Sequence, residues 1–188
     1  MVASAAVLFG SRGISATSFS AVLGASRAPR GSIYYHFPEG KRQLVQEALA
    51  WTSEQLRRHL ESSPARTPTG VLLHFLAFFR SSAVASHCRS GCPVAAVAIS
   101  NYAQEPAMAE LVRRTFRAWD RALVERLRAT GVPSARAREL ATTALAAVEG
   151  ALILSRAEGS TRPLDAVGRE LRYLGRRAAR PDRSRSAT

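Results

Sequence analysis

Apolar residues recur at helical spacing through most of this 188-residue chain. The clearest run has intervals of 4, 4, 3, 4 and 4 residues, which places all of its members on one face of an α-helix. It consists of Met108, Val112, Phe116, Trp119, Leu123 and Leu127. The β-branched residues are scattered rather than alternating with polar ones, so no segment is typical of a strand. These patterns predict an all-α protein.

The helical patterns are short at the start of the chain and longer after residue 40. Three of them fall within residues 1–40, at 3–12, 18–25 and 29–37, and a long one covers 41–60. A Pro/Ser/Thr connector at 62–70 is followed by apolar helices at 71–86, from Pro93, around Trp119, at 134–158 and at 164–174. We predict a three-helix head at residues 1–44 and a helical body at 45–175. The basic stretch 176–188 has the composition of a disordered tail.

The distribution of charge favours an anionic partner. The formal net charge is +13, but Lys41 is the only lysine, and an arginine excess can also follow genomic base composition. The head is more informative, because residues 1–38 contain three arginines and no acidic residue.

Cysteine content and hydropathy indicate where the protein is located. Two cysteines make no disulfide framework, and no uncharged apolar run approaches the ~18 residues of a membrane span. We expect a cytoplasmic protein with no membrane partner.

Residues 17–37 have the spacing of a helix-turn-helix. Thr17 or Ser18 suits the N-cap of the first helix, and Ser26 and Arg27 suit the turn. The inward-facing apolar residues are Phe19, Val22, Leu23, Ile33 and Phe37. The motif predicts that the second helix presents its remaining residues outward.

Those remaining residues have hydrogen-bonding chemistry suited to DNA. They are Arg30, Ser32, Tyr34, Tyr35 and His36. Arginine can bind a guanine edge through two hydrogen bonds, and Tyr, Ser and His suit phosphate oxygens. Gly31 leaves room for a close backbone approach to phosphate, and Pro29 suits a first helical turn. The two tyrosines and the histidine can also be core aromatics with polar edges, but three consecutive helical positions cannot all face one core.

Here the sequence resembles a known family. "RGISATSFSAVLGASRAPRGSIYYHFPEGKRQLVQEAL" is similar to the DNA-binding head of TetR/AcrR-type transcriptional regulators. "PRGSIYYHFPEGK" and "GCPVAAVAI" are similar to the LmrA/YxaF-like subgroup. The resemblance implies an all-α homodimer that represses transcription at a palindromic DNA operator and releases it when a small hydrophobic effector enters the body.

The resemblance also assigns roles within the head. Thr17 and Ser18 would contact phosphate, and Lys41 would hold a phosphate from the start of the fourth helix. The residues at the groove would be Arg30, Gly31, Ser32, Tyr34, Tyr35 and His36.

Two positions depart from the family pattern. Members usually carry about a turn or more of basic helix before the position of Ala3, so helix 1 is expected to be truncated. Arg27 stands where glycine is common, so we expect a left-handed backbone there, which arginine adopts at some cost.

The body carries candidates for two further sites. Its aromatic residues either fill the core or line an apolar ligand pocket, and both interpretations stay open. They are Phe75, Phe78, Phe79, Tyr102, Phe116 and Trp119. Segment 134–158 has two apolar stripes, Leu140/Ala144/Ala147/Ala151/Leu154 and Ala141/Leu145/Val148/Leu152, so we expect one stripe to face the core and the other a second subunit.

Other features support competing hypotheses. Cys88 and Cys92, with His87 beside them, permit a thiol-based redox regulator, although the C-x3-C spacing favours an inert buried pair over a metal site. A second alternative is an interaction protein that keeps the fold but has lost DNA binding. His59 and His74 have no nucleophile or carboxylate at a catalytic spacing. We therefore predict no enzyme activity, no cofactor and no metal.

Overall fold

The computed structural model describes residues 1–29 and 31–179. Their regular elements are helical, and no strand occurs among them. The elements are α1 (Val2–Arg12), α2 (Phe19–Ser26), α3 (Ser32–His36), α4 (Lys41–Glu61), α5 (Pro68–Ala85), α6 (Pro93–Ala98), a 3-10 helix (Asn101–Gln104), α7 (Pro106–Ala129), α8 (Ser134–Glu158) and α9 (Arg162–Ala178). The all-α prediction is confirmed.

The first three helices form the head around a small apolar core. Buried members of that core include Phe9, Ile14, Val22, Ile33 and Phe37. Helices α2 and α3 make the predicted helix-turn-helix, and the Ser18 hydroxyl caps α2 by accepting the Ala21 N–H at 3.2 Å. These residues therefore fix the orientation of α3 within the head.

The turn between α2 and α3 has the expected strained residue. Arg27 adopts φ 55° and ψ 29°, the left-handed conformation that glycine tolerates better. Helix α3 is shorter than the predicted 29–37. The Ser32 N–H and hydroxyl both donate to the Pro29 carbonyl, so a turn precedes the helix.

Helix α4 joins the head to the body. It packs against α1 at one end and against α5 and α7 beyond. Helix α5 begins at Pro68, three residues earlier than predicted. The reason is local, because the Thr67 hydroxyl accepts the Gly70 N–H at 3.1 Å and Pro68 fills the first helical position.

The expectation for α8 was wrong. Both apolar stripes contribute to the core, since Leu140, Ala144, Val148 and Leu152 are all buried against other helices of the same chain. The exposed face lies on the opposite side of the helix from the two stripes and also takes in Leu154, the last residue of the first stripe. It includes Thr143, Ala146, Gly150, Ile153 and Leu154.

The C-terminal helix extends beyond the predicted body. Helix α9 runs to Ala178, and Ala178 packs against the core, so residues 176–178 are helical rather than part of a disordered tail. Residues 180–188, which the tail prediction also covers, lie outside the described part of the chain.

Among the described residues, α5 and α8 are long and apolar enough to cross a membrane by length and composition alone. This departs from the expectation based on uncharged runs. Core helices meet the same criterion, and both helices pack along their length against others, α5 on α9 and α8 on α7 and α9.

Candidate DNA-binding surface and body pocket

Helix α3 presents an aromatic, hydrogen-bonding surface outward. Tyr34 and Tyr35 are 69% and 84% exposed, and His36 is exposed beside them. Their rings are ordered by edge contacts, Tyr34 on Phe19 at 5.8 Å and Tyr35 on His36 at 5.4 Å between centroids. Three polar aromatic groups therefore face solvent, as a surface for phosphate and base edges requires.

The other predicted DNA-contacting residues fall into different environments. Gly31 is exposed with open space at its Cα, and Ser18 is exposed at the cap of α2. Ser32 is partly buried, with its hydroxyl on the Pro29 carbonyl at 2.7 Å. Arg30 lies outside the described residues.

Thr17 does not have the exposed position that its predicted contact with phosphate needs. It is 1% exposed, and its hydroxyl donates to the Gly13 carbonyl at 2.7 Å, which closes the turn between α1 and α2. The side chain therefore holds the head together and does not face a ligand in this conformation.

Lys41 begins α4 close to the head. Its ammonium group lies 3.4 Å from the Ser15 carbonyl oxygen, and partial burial lowers its pKa from the ordinary value. Only residues 37–40 separate the end of α3 from Lys41 in the sequence, and the contact of Lys41 with phosphate stays a prediction.

The body contains an open pocket of ≈440 Å³ at its border with the head. Its floor includes the buried residues Thr52, Phe79, Cys92 and Leu152. The remaining wall is formed by Ala6, Val7, Trp51, Gln55, Phe78, Ser81, Ser82, Ala85, Ser90, Gly91 and Pro93. Helix α1 of the head thus shares this pocket with α4, α5 and α8 of the body.

Only part of the predicted aromatic set lines the pocket. Phe78 and Phe79 do so, whereas Phe75 and Trp119 pack edge-on against Phe79 from the core. Phe116 lies a layer further away, against Trp119, and the partly buried Tyr102 packs against the core.

Sequence reasoning missed the contribution of α4 and α1. Trp51, which is 38% exposed, and Gln55 line the pocket from α4. The available signal was the position of Trp51 around the helix axis relative to the buried residues of α4. Buried positions follow Leu44, Ala48, Thr52 and Leu56, and a tryptophan one position before Thr52 falls at the edge of that stripe.

Cys92 at the pocket floor has the environment of an unreactive thiol. Burial, reinforced by the adjacent Glu149 carboxyl, raises the pKa of Cys92 well above its usual value. Cys88 is buried as well, so neither thiol is presented to solvent. Because the thiolate is the reactive form, this environment opposes ready oxidation.

Glu149 itself is an unusual feature of α8. Burial raises the pKa of its carboxyl to about 7, and the neighbouring Cys92 thiol only partly offsets the effect. Within the described residues its Oε1 atom is buried without a hydrogen-bond partner. A protonated carboxyl is the form that this site tolerates near neutral pH.

Family comparisons cover most of the chain. Residues 2–48 match the family described as bacterial regulatory proteins, tetR family. Residues 68–170 match the family described as transcriptional regulator LmrA/YxaF-like, C-terminal domain.

Curated relatives align over nearly the whole length. An uncharacterised HTH-type transcriptional regulator of Mycobacterium tuberculosis is 37% identical over 190 residues, covering 98% of this chain and 96% of the relative. The HTH-type transcriptional regulator LmrA of Bacillus subtilis is 29% identical, covering 87% of this chain and 88% of its own.

Solved structures share the fold. A TetR transcriptional regulator from Legionella pneumophila superposes with a TM-score of 0.78 at 22% identity, covering 90% of this chain and 92% of its own. The regulator CifR, studied as a cysteine mutant with a 26-bp double-strand operator DNA, has a TM-score of 0.66 at 24% identity, with 91% and 93% coverage.

Proposed function

The chain belongs to the TetR family of transcriptional regulators, and from that premise we propose that it is a repressor that binds an operator as a homodimer and releases it on binding a small hydrophobic effector. The observation that carries the proposal is the exposed Tyr34, Tyr35 and His36 surface on a head whose first helix also walls the body pocket. One molecule thus contains a surface suited to DNA and a cavity suited to a ligand. A cytoplasmic location follows from this role.

The operator is the first part of the proposal to test. Two heads related by a two-fold axis read half-sites ~34–36 Å apart, so the operator is near-palindromic. Duplexes selected by the protein from a random pool, together with the region upstream of its own gene, supply the probe for fluorescence anisotropy. Absence of any selected duplex would support the alternative of a protein that retains the fold without DNA binding.

Dimerisation through α8 and α9 is the second part. The exposed strip of α8 combines the small residues Ala146 and Gly150 with Ile153, which is 63% exposed. Small residues permit close helix approach, and exposed apolar ones gain from being covered. A two-fold axis beside this strip would place α8 and α9 of two subunits in one bundle.

The effector is the third part. The ≈440 Å³ pocket with Trp51, Phe78 and Phe79 suits a planar, largely apolar molecule. Helix α4 connects this pocket to the base of the head, so it is the natural lever between ligand and DNA. Linkage requires that a releasing compound binds the operator-bound protein more weakly, by the same factor, typically ~5–150-fold, with which it weakens DNA binding.

The test measures operator affinity at several concentrations of planar apolar compounds. Trp51→Ala is expected to change the response, whereas ligand-free operator affinity stays within a few-fold, ~1 kcal/mol. A compound that binds the body equally with and without operator would contradict the lever for that compound, however tightly it binds.

A further inference from the structure

The end of α1 is joined to the body by backbone contacts. The Gly10 carbonyl accepts the Gly91 N–H at 2.9 Å and one guanidinium nitrogen of Arg156, Nη1, at 3.2 Å. The second nitrogen, Nη2, donates to the Ser11 carbonyl. Because the last four carbonyls of a helix lack partners within the helix, Arg156 satisfies two of these acceptors and places a positive charge at the negative end of the helix dipole.

The two glycines touch without intervening side chains. A Cβ atom added to Gly10 would lie 2.3 Å from the Gly91 carbonyl oxygen and 3.0 Å from the Ser90 Oγ atom. The contact with the Gly91 backbone oxygen is too short for the present backbone, so only glycine allows α1 to sit this close to the loop before α6. We call the contacts of Gly10, Ser11, Gly91 and Arg156 the head joint.

The head joint determines where the DNA-binding surface lies. Helix α1 packs against α2 and α4, so a shift of its end moves the whole three-helix head relative to the body. The joint also adjoins the pocket, since Gly91 lines it and Leu152 lies one helical turn before Arg156. A ligand in the pocket would therefore contact Gly91 directly and Leu152, one helical turn from Arg156. Gly91 and Arg156 are the two residues that bond to the end of α1.

We propose that Arg156 is a positioning residue for operator binding, which with the Gly10–Gly91 contact fixes the head on the body at the angle that matches the half-site spacing. The inference rests on the proposed function, because it requires two heads on one dimer. Arg156 itself touches no DNA in this account. It acts by limiting the spacings that the two α3 helices can span.

A spacing profile separates positioning from general stability. The probes are the selected operator and versions with one or two base pairs added to or removed from its centre. For Arg156→Ala we expect affinity for the selected spacing to fall about tenfold, as it would if only about a tenth of the molecules held the matching angle. Affinity for the altered spacings changes little, so the ratio between them approaches one.

Gly10→Ala opens the same joint without removing a charge or a hydrogen-bonding group. It is expected to flatten the profile as Arg156→Ala does, even though alanine favours the helix more than glycine. Gly91→Ala adds a methyl group from the other side, where its nearest contact would be the Gly10 carbonyl oxygen at 3.4 Å, an ordinary distance. Its effect on the profile is expected to be smaller than that of Gly10→Ala.

Arg113→Ala is the matched control for lost arginine charge. Arg113 lies on the surface of α7 and pairs with Glu110. It is expected to leave the wild-type profile unchanged, and Arg156→Lys, which cannot fork between two carbonyls, is expected to restore the profile only in part.

Two results would overturn the inference while leaving the proposed function intact. One is an Arg156→Ala profile with the wild-type ratio between spacings. The other is a parallel loss at every spacing with a lowered melting temperature, which indicates a structural role alone. Failure of the wild-type protein to select any duplex refutes the proposed function instead, so the two failures are distinguishable.

Discussion

His59 and His74 stack ring on ring, 3.9 Å apart and 6° from parallel, and each donates its Nε2–H to the backbone carbonyl of the other at 2.8 Å. A carbonyl can only accept, so both rings carry their proton on Nε2. The reciprocal pair joins the C-terminal turn of α4 to α5, and His59 also packs against Phe78 of the pocket. The C-terminal end of α4, the proposed lever, is therefore fixed at the body.

We expect the histidine pair to act as a unit. His59→Ala and His74→Ala should each destabilise the protein by about 1–3 kcal/mol, since each removes a stacked ring and a hydrogen bond. A double-mutant cycle from urea denaturation should give a coupling of about 0.5–3 kcal/mol. Strictly additive single effects would show that the stack contributes nothing beyond its separate contacts.

Glu149 should make stability depend on pH. Its pKa is raised to about 7 in the folded protein, and it should be near ~4.3 in the unfolded chain. The folded state therefore keeps a proton that the unfolded state loses, and the stabilisation present below ~4.3 is lost as pH rises towards 7. The loss amounts to about 4 kcal/mol once the pH is above 7.

The measurement compares wild type with Glu149→Gln by denaturation at acid and alkaline pH. The variant keeps the shape of a neutral carboxyl, so it should match wild type at low pH and exceed it at about pH 8. Subtracting the curves removes the contribution of other groups, including Glu54, whose pKa two arginines lower to about 2. A difference that does not vary with pH would contradict the buried proton.

Two substitutions in the head should distinguish a residue that reads base sequence from one that attracts phosphate. Arg30→Ala is expected to relax base preference at one operator position at a cost of about 1–3 kcal/mol, as loss of a bidentate contact does. Lys41→Ala should weaken all duplexes alike and reduce the salt slope by about 1. Operator binding unaffected by both changes would show that the head does not bind DNA in this way.

Charge placed on the exposed strip of α8 should separate the subunits. Ile153→Asp introduces a carboxylate where the proposed partner helix would cover it, so sedimentation at micromolar concentration should show a monomer. Val84→Asp, at a residue that is 50% exposed on α5, is the control and should stay dimeric. A wild-type monomer in the same measurement would refute the dimer itself.

Local patterns were sufficient to predict the order of the α-helices, although not all of their bounds. The intervals of 4 and 3 around Trp119 correspond to α7. The left-handed backbone at Arg27 was indicated by the family resemblance, in which glycine is common at this turn position. Helix geometry predicted that at least one of Tyr34, Tyr35 and His36 points outward, because three consecutive positions cannot all face one core.

Long-range contacts were not predictable from these patterns. Arg156 meets Gly10 across 146 residues of sequence, and one arginine among many carries no local sign of that contact. The burial of Glu149 depends on the loop that carries Cys92, and the burial of both α8 stripes depends on how closely α7 and α9 approach it. Which residues of α4 line the pocket similarly depends on the rotation of α4 about its axis relative to the four other helices that line it.

With the proposed effector in a pocket shared between head and body, the ways in which effector preference can diverge among relatives are restricted. Substitution of Ala6 reshapes the cavity and also disturbs the packing of α1. One substitution is therefore under selection for ligand binding and for operator binding at once. Ser81, Ser82 and Ala85 are exposed on the α5 side and belong to the cavity alone. Evolution towards new ligands is therefore freest along α5, while the α1 wall should change slowly for reasons unrelated to the ligand.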